Sequence, residues 1–226
     1  DSRDEVQSEL VYTDLSKEFP GYKYENGKSF YKGIETGEGG YVYSQPGVYG
    51  HVKVFDVVSM HPHSLIALNL FGKYTQRFKE ILQARVAAKH NDIDALETLL
   101  DGMLLEYVGD DATRKSLVQA LKIAINSVYG LTCANFDHIF KDKRNVDNIV
   151  AKRGALFMIN LKEEVEKRGY TVVHIKTDSI KVENPDDFIT NFINEYGKKY
   201  GYEFEVEDEF DRVCLINDAE FIAYDM

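Results

Sequence analysis

The stretch His174-Ile175-Lys176-Thr177-Asp178-Ser179-Ile180-Lys181-Val182 decides the fold predicted for this chain. Two short β-branched runs, Val172 to Ile175 and Ile180 to Val182, flank a polar centre, which is typical of a β-hairpin. Such a hairpin holds Asp178 at its tip, where a strand turn fixes the direction of the side chain. We expect it to face a second acid far upstream, Asp56, with metal ions between the two carboxylates.

The composition is that of an acidic globular protein of one or two domains. The chain has 226 residues, of which 44% are hydrophobic, and a formal net charge of -11, a charge that argues against the whole chain coating nucleic acid. No apolar run approaches the roughly 20 residues of a membrane span, and no signal peptide opens the chain, so we expect no membrane partner. Cys133 and Cys214 lack metal-binding spacing, which favours a reducing, cytoplasmic location.

Asp56 interrupts a strand-like segment that runs from His51 to Ser59. The last part of this segment is nearly all apolar, as in a buried strand, and a buried carboxylate is costly unless a partner or a metal compensates it. Pro62 is placed to start a helix soon afterwards. Taken alone, Asp56 is better explained as a strand-end acid that caps this helix.

The next segment is predicted to be helical and basic. Residues Lys73 to His90 carry apolar side chains at helical spacing, with Arg85 and Lys89 four residues apart on one side. An ordinary solvated face explains these two cations equally well. A second helix, from Asp94 to Leu105, would complete a small antiparallel helical hairpin.

The helix predicted from Asp111 to Gly130 has two distinct stripes, with Gly130 as its C-terminal glycine. Its apolar stripe consists of Leu117, Leu121, Ala124, Ile125 and Val128. Its polar stripe consists of Lys115, Gln119, Lys122, Asn126 and Tyr129. Lysine can bind phosphate, amides can bind sugars or bases, and tyrosine can stack on a base, so the polar stripe is suited to nucleotides as well as to water.

The stretch from Lys17 to Gly50 is rich in Tyr and Gly, which indicates short strands joined by turns. Gly39 and Gly40 could let the backbone approach a phosphate chain closely. A plain turn is the alternative at these two glycines.

Three segments, taken in order, resemble the motifs of the family B DNA polymerases, and the tailed-phage branch is the most similar. Asp56-Val57-Val58-Ser59-Met60-His61-Pro62-His63-Ser64 resembles the first motif, D-x-x-S-L-Y-P-S. Lys122-Ile123-Ala124-Ile125-Asn126-Ser127-Val128-Tyr129-Gly130 matches every fixed position of the second, K-x-x-x-N-S-x-Y-G. Thr177-Asp178-Ser179 matches the end of the third, D-T-D-S, and Arg85 with Lys89 resembles the R-x-x-x-K of the fingers.

The resemblance implies a DNA polymerase core that transfers nucleotides with the help of two divalent cations. It implies Mg²⁺, with Mn²⁺ as a substitute, held by Asp56, Asp178 and the backbone carbonyl of Val57. The nucleotide-binding residues that it implies are Ser59, Met60, His61, Arg85, Lys89, Lys122 and Asn126, with Lys122 also catalytic. The residues implied to contact template or primer are Tyr129, Gly130, Thr177, Gly39 and Gly40.

The sequence departs from the family pattern at two motif positions and in one later segment. Lys176 replaces the first Asp of D-T-D-S and adds positive charge beside the expected metal site. His61 replaces the tyrosine that rejects ribose in the family, so we expect weaker discrimination between sugars. Asn217 to Glu220 lies where many relatives carry basic residues against the primer.

These inferences predict an α+β polymerase palm with a mainly antiparallel sheet, packed helices and an inserted helical fingers hairpin. We expect residues 1–68 to form the N-terminal segment and the first part of the palm, 69–130 the fingers and 131–226 the remainder of the palm. Thumb and exonuclease domains are expected to be absent, so that the partners would be primer-template DNA, dNTPs and a thumb- or exonuclease-bearing remainder of the polymerase. If the chain is phage-encoded, it would act in the host cytoplasm. A catalytically weak or inactive palm, serving as a DNA-docking or assembly subunit, is the alternative function.

Overall fold

The computed structural model describes residues 1–37, 39–134, 136–142 and 148–225 of the protein. The α-helices are α1 (Arg3–Glu9), α2 (Leu15–Glu18), α3 (Met60–Ala67), α4 (Thr75–Lys89), α5 (Ile93–Thr98), α6 (Asp111–Thr132), α7 (Ile149–Lys167) and α8 (Asp187–Lys199). The strands are β1 (Tyr22–Glu25), β2 (Lys28–Tyr31), β3 (Ile34–Thr36), β4 (Val42–Ser44), β5 (Gly47–Tyr49), β6 (Val52–Val57), β7 (Val172–Lys176), β8 (Ser179–Glu183), β9 (Phe204–Phe210), β10 (Arg212–Leu215) and β11 (Phe221–Tyr224). Helices combined with antiparallel sheets confirm the predicted α+β class.

The chain divides into two compact units. The sheet unit comprises Asp14–Ser64 and Val146–Met226, and the helical unit comprises Asp1–Thr13 and Leu65–Asn145. The predicted domains divided the chain after residues 68 and 130, whereas in the structure residues 1–13 and 131–145 group with the helices.

A five-stranded sheet in the order β4-β7-β8-β6-β9 forms the centre of the sheet unit. Each neighbouring pair of its strands is antiparallel. The predicted hairpin is confirmed as β7 and β8, joined by Thr177 and Asp178. The β-branched residues of this hairpin are fully buried: Val173, Ile175, Ile180 and Val182 are each 0% exposed.

Smaller sheets, β1-β2-β3 and β11-β10-β5, complete the strands of this unit. Helix α7, in a stretch for which the sequence analysis assigned no element, is buried along most of its length. Phe157 of α7 stacks on Tyr196 of α8, with ring centroids 5.7 Å apart, so these two helices share one aromatic contact layer.

An ion pair fixes α7 within the same unit. The Arg153 guanidinium donates to both carboxylate oxygens of Glu18, over 3.1 and 2.7 Å, and to the Tyr200 carbonyl over 2.9 Å. Its side chain is only 4% exposed. A charge buried to this degree is stable only because the carboxylate and carbonyl compensate it.

In the helical unit, the second predicted helix is shorter than expected. The helix expected from Asp94 to Leu105 ends at Thr98, where the backbone of Leu99 becomes extended (φ -91°, ψ 137°). Helix α4 contacts α5, as predicted, and also packs along α6. The Arg114 guanidinium joins them by donating to the carbonyls of Ala88 and Lys89 over 3.1 and 3.2 Å.

Helix α6 is two residues longer than predicted. Gly130 lies inside it, and Cys133 caps it by donating its backbone N–H to the Gly130 and Leu131 carbonyls. Among the residues that the structure describes, no helix is long and apolar enough to cross a membrane.

Candidate active site

The two predicted acids lie at neighbouring strand ends in the sheet unit. Asp56 is the next-to-last residue of β6 and pairs with Ser179 at the start of β8. The backbone N–H of Val57 donates to the Asp178 carbonyl over 2.8 Å. Asp178 is exposed in the hairpin turn, whereas Asp56 is partly buried. The sheet therefore brings together two carboxylates that are far apart in the sequence.

Asp56 carries negative charge that the surrounding protein does not fully compensate. The pKa of Asp56 is raised to about 7, chiefly by burial. A hydrogen bond with Glu207, the charge of Glu207 and the charge of Asp178 raise it further, whereas a hydrogen bond with Ser179 lowers it. The Oδ1 atom of Asp56 is buried and has no hydrogen-bond partner among the residues that the structure describes. A buried carboxylate oxygen without a partner is costly, and a bound cation is one way to compensate it.

The donor set suits a hard cation with open coordination positions. Carboxylate and carbonyl oxygens are the ligands that Mg²⁺ prefers, and Mg²⁺ often binds through one or two carboxylates together with substrate phosphates. In the described parts of the chain, no group of three or more His, Cys, Asp or Glu side chains is arranged to hold a metal. The residues therefore fit a site built on two carboxylates rather than an enclosed protein cage.

Glu207 is a site residue that the sequence analysis missed. Strand β9 pairs Val54 with Asp208 and Phe55 with Val206, so Glu207 is an extra residue at a register shift. A β-bulge of this kind redirects side chains relative to the regular alternation. The bulge therefore accounts for an acid near Asp56 that a strict period of two does not predict.

Lys181 is the second residue missed, and it is 7% exposed. Its Nζ lies 3.2 Å from His174 Nδ1, and His174 Nε2 lies 2.8 Å from the Asp218 carbonyl oxygen. Because a carbonyl only accepts, Nε2 carries the proton and Nδ1 accepts from the ammonium. Burial lowers the pKa of Lys181, and the charges of Glu207 and Asp56 oppose that change, so this cation lies close to the acids.

Lys176 is exposed at the end of β7. Its positive charge contributes to lowering the pKa of both His174 and Lys181. The positive charge expected from Lys176 therefore acts on the β7–β8 hairpin, and its effect on metal binding stays a prediction.

The first predicted nucleotide-binding segment begins where β6 ends. Ser59 adopts a left-handed backbone (φ 48°), Met60 is buried at 4% exposure, and His61 is partly buried. Burial lowers the pKa of His61, while the charge of Asp178 opposes it. His61 therefore lies within electrostatic range of the hairpin acid, and its role in sugar selection stays a prediction.

Gly40 is required by the hairpin tip. A Cβ atom at Gly40 would lie 2.6 Å from the Thr177 side chain, and the Thr177 N–H donates to the Tyr41 carbonyl over 2.9 Å. Gly39 has no such neighbour within 4 Å. Close packing against the hairpin turn thus explains why residue 40 is a glycine. The contact of Gly39 and Gly40 with template or primer stays a prediction.

The remaining predicted residues belong to the helical unit. Lys89 of α4 and Lys122, Asn126 and Gly130 of α6 are exposed, and Tyr129 is partly buried. Arg85 is partly buried, and its Nε atom is buried with no hydrogen-bond partner in the described part of the chain. The Arg114 contacts place the end of α4 beside the start of α6.

The comparisons with known proteins support the fold. No protein-family model matches the chain, and no curated protein sequence matches it. Among solved structures, the chain is similar to the family B DNA polymerase from the hyperthermophilic archaeon Pyrobaculum calidifontis, with a TM-score of 0.56 and 17% sequence identity. The match covers 82% of this chain and 27% of that chain. The sheet and helical units therefore have a polymerase-related fold, and the chain spans about a quarter of the polymerase it matches.

Proposed function

We propose that this chain is the palm and fingers core of a DNA-directed DNA polymerase, which adds dNTPs to a primer 3′-hydroxyl in replication of the phage type. The observation that carries the proposal is the juxtaposition of Asp56 and Asp178 at adjoining strand ends, with one buried Asp56 oxygen left without a partner. The polymerase-related fold supports it.

Asp56, Asp178 and the Val57 carbonyl would hold Mg²⁺, or Mn²⁺ in its place. When bound, such cations stabilise the charge on the attacking and leaving oxygens of the phosphoryl transfer. Asp56 supplies the more rigid ligand, because β6 is paired on both sides. Asp178 is exposed at the turn and supplies the more accessible one.

The cations of the helical unit would bind the triphosphate of the incoming nucleotide. Arg85 is suited to this role because a guanidinium binds phosphate oxygens in bidentate fashion. Lys89 and Lys122 would add point charges, and Asn126 an amide. Since the matched polymerase is much longer than this chain, a thumb- or exonuclease-bearing remainder is the proposed partner that grips primer-template DNA.

Mn²⁺ binding followed by electron paramagnetic resonance tests the proposal without requiring activity. We expect Asp56→Asn and Asp178→Asn each to weaken Mn²⁺ binding at least about 10-fold and to abolish primer extension. Asp208→Asn, a substitution of an exposed acid on the adjoining strand β9, is the matched control and should change neither. If both site variants bind Mn²⁺ as tightly as the parent protein, the proposed metal site is wrong.

The second candidate function is a palm that docks DNA or assembles a replication complex without catalysis. Lys176 favours it, because a lysine placed beside the acids opposes cation binding by charge repulsion. Lys176→Asp separates the two functions. Stronger Mn²⁺ binding accompanied by new extension activity would favour the docking subunit, whereas extension already present in the parent and lost in Asp178→Asn favours the polymerase.

His61 provides a separate test of substrate choice. In a polymerase whose His61 stacks beneath the incoming sugar, His61→Ala should change the ratio of dNTP to rNTP incorporation. An unchanged ratio would remove His61 from sugar selection without affecting the metal assignment.

A further inference from the structure

Helix α6 has a charge distribution unlike the rest of the molecule. Acids account for 38 of the 226 residues, yet residues 112–136 contain no Asp or Glu. A helix face that only contacts water in an acidic protein commonly pairs Glu with Lys at spacings of three or four residues. Asp111, at the start of α6, pairs with Arg114 and lies four residues before Lys115, whereas Lys122 has no acid three or four residues away.

The unpaired cations lie on the side of α6 that faces away from the core of the helical unit. Leu121 and Ile125 are buried, Leu121 in a cluster with Ala84, Ala87 and Ala88 of α4, whereas Lys115, Gln119 and Lys122 are exposed. Within the part of the chain that the structure describes, neither Lys115 nor Lys122 forms an ion pair. The exposed stripe is therefore a continuous surface of positive and amide groups.

The neighbouring Arg114 shows that these lysines are not needed for packing. Arg114 already holds α4 to α6 through the carbonyls of Ala88 and Lys89, and its Nη2 bonds Asp111 over 3.3 Å. Lys115 makes none of these contacts. Its charge is thus available to a ligand.

The flanking side chains leave this stripe open. Ser116, Ala120 and Ala124 are exposed and small, and Ile123 is 57% exposed. A ligand backbone could approach the helix without displacing long side chains, and an exposed Ile123 offers an apolar contact to a base or sugar. The combination of cations, amides and apolar surface fits nucleic acid better than a free phosphate ion.

We propose that Lys115 and Gln119 form a binding surface for single-stranded DNA on α6, beyond the residues assigned to the triphosphate. Lys115 and Lys122 are seven residues apart, or about 10 Å along the helix axis, a separation suited to different phosphates of one strand. Tyr129, further along the stripe, adds the aromatic ring on which single-stranded bases stack. This inference rests on the proposed function, in which the strand is the unpaired part of the template.

Fluorescence anisotropy with a labelled oligothymidylate of about 12 nucleotides tests it, within the site sizes of single-strand binding proteins. We expect Lys115→Gln to weaken binding about 3- to 10-fold and to reduce the slope of log K against log salt by about 0.7, as for one lost phosphate contact. Gln119→Ala should weaken binding without changing the slope. Measurements in EDTA keep this result independent of the Mn²⁺ experiments, so either hypothesis can fail alone.

Lys167→Gln is the matched control. Lys167 is also an exposed helical lysine, but it pairs with Glu164 over 3.4 Å, and its loss changes the net charge by the same amount. We expect it to leave the affinity and the slope unchanged. Equal effects of Lys115→Gln and Lys167→Gln, or no effect of Lys115→Gln, would overturn the assignment.

Discussion

Replacement of Asp56 by Asn should stabilise the metal-free protein, and more so at pH 8 than at pH 5. The unfolded chain ionises this carboxyl near its usual pKa of 3.8, whereas burial and the neighbouring acids raise the folded pKa to about 7. Between these values the folded state binds more protons, so its stability falls as pH rises and the full cost is present above pH 7. The neutral Asn side chain removes that cost.

The magnitude follows from the same two values. At about 1.4 kcal/mol per pH unit, the full difference corresponds to about 4 kcal/mol. Asp56 is only partly buried, so solvent screening reduces the expected gain at pH 8 to about 1–2 kcal/mol. At pH 5 the gain should be less than half of that, because the folded carboxyl is then mostly protonated.

Urea unfolding in EDTA at both pH values measures this gain. Asp208→Asn on the adjoining strand serves as the control and should show no comparable pH dependence. A gain that is equal at pH 5 and pH 8, or a loss of stability at both, would refute the conclusion that Asp56 bears uncompensated charge. Added Mg²⁺ should stabilise the parent protein but not Asp56→Asn, because only the parent retains the proposed ligand.

Two further substitutions test the packing that supports the site. Gly40→Ala should destabilise the protein by about 1–3 kcal/mol, since its Cβ would lie 2.6 Å from the Thr177 side chain. Gly39→Ala should cost less, because no described atom lies within 4 Å of its Cβ position. Equal costs of the two substitutions in urea unfolding would contradict the steric explanation. Glu18→Gln should cost about 3 kcal/mol because it leaves the Arg153 cation, which is 4% exposed, without its counter-charge. Arg153→Met leaves only the Glu18 carboxylate, which is 30% exposed, and should cost less, so the reverse order by urea unfolding would count against the ion pair.

The sequence predicted those parts of the fold whose local pattern agrees with the tertiary structure. The β7–β8 hairpin was predictable because β-branched runs flank a short polar turn. The adjacency of Asp56 and Asp178 was expected only through the motif resemblance. No periodicity in either segment specifies which distant strand pairs with β6.

The differences between the predicted and the observed structure have identifiable physical causes. Helix α5 ends early because Leu99 is extended, and the left-handed backbone of Leu100 and Asp101, which their residue types rarely select, then prevents the helix from resuming. Gly130 continues α6 because a glycine is compatible with helical as well as left-handed backbone, so the residue alone does not mark the end. Lys181 lies in a strand pattern that resembles an exposed alternation, and its burial depends on the His174 side chain from the paired strand.

The bulge in β9 has a consequence for how this region can vary. In a regular strand, inserting or deleting one residue exchanges the two faces for every residue that follows. Glu207 is the residue that β6 does not pair with, so one-residue deletion there would restore an even ladder while leaving the pairings on either side intact. The acid nearest Asp56 could thus be lost by shortening the strand, with the β6 ligand still in place.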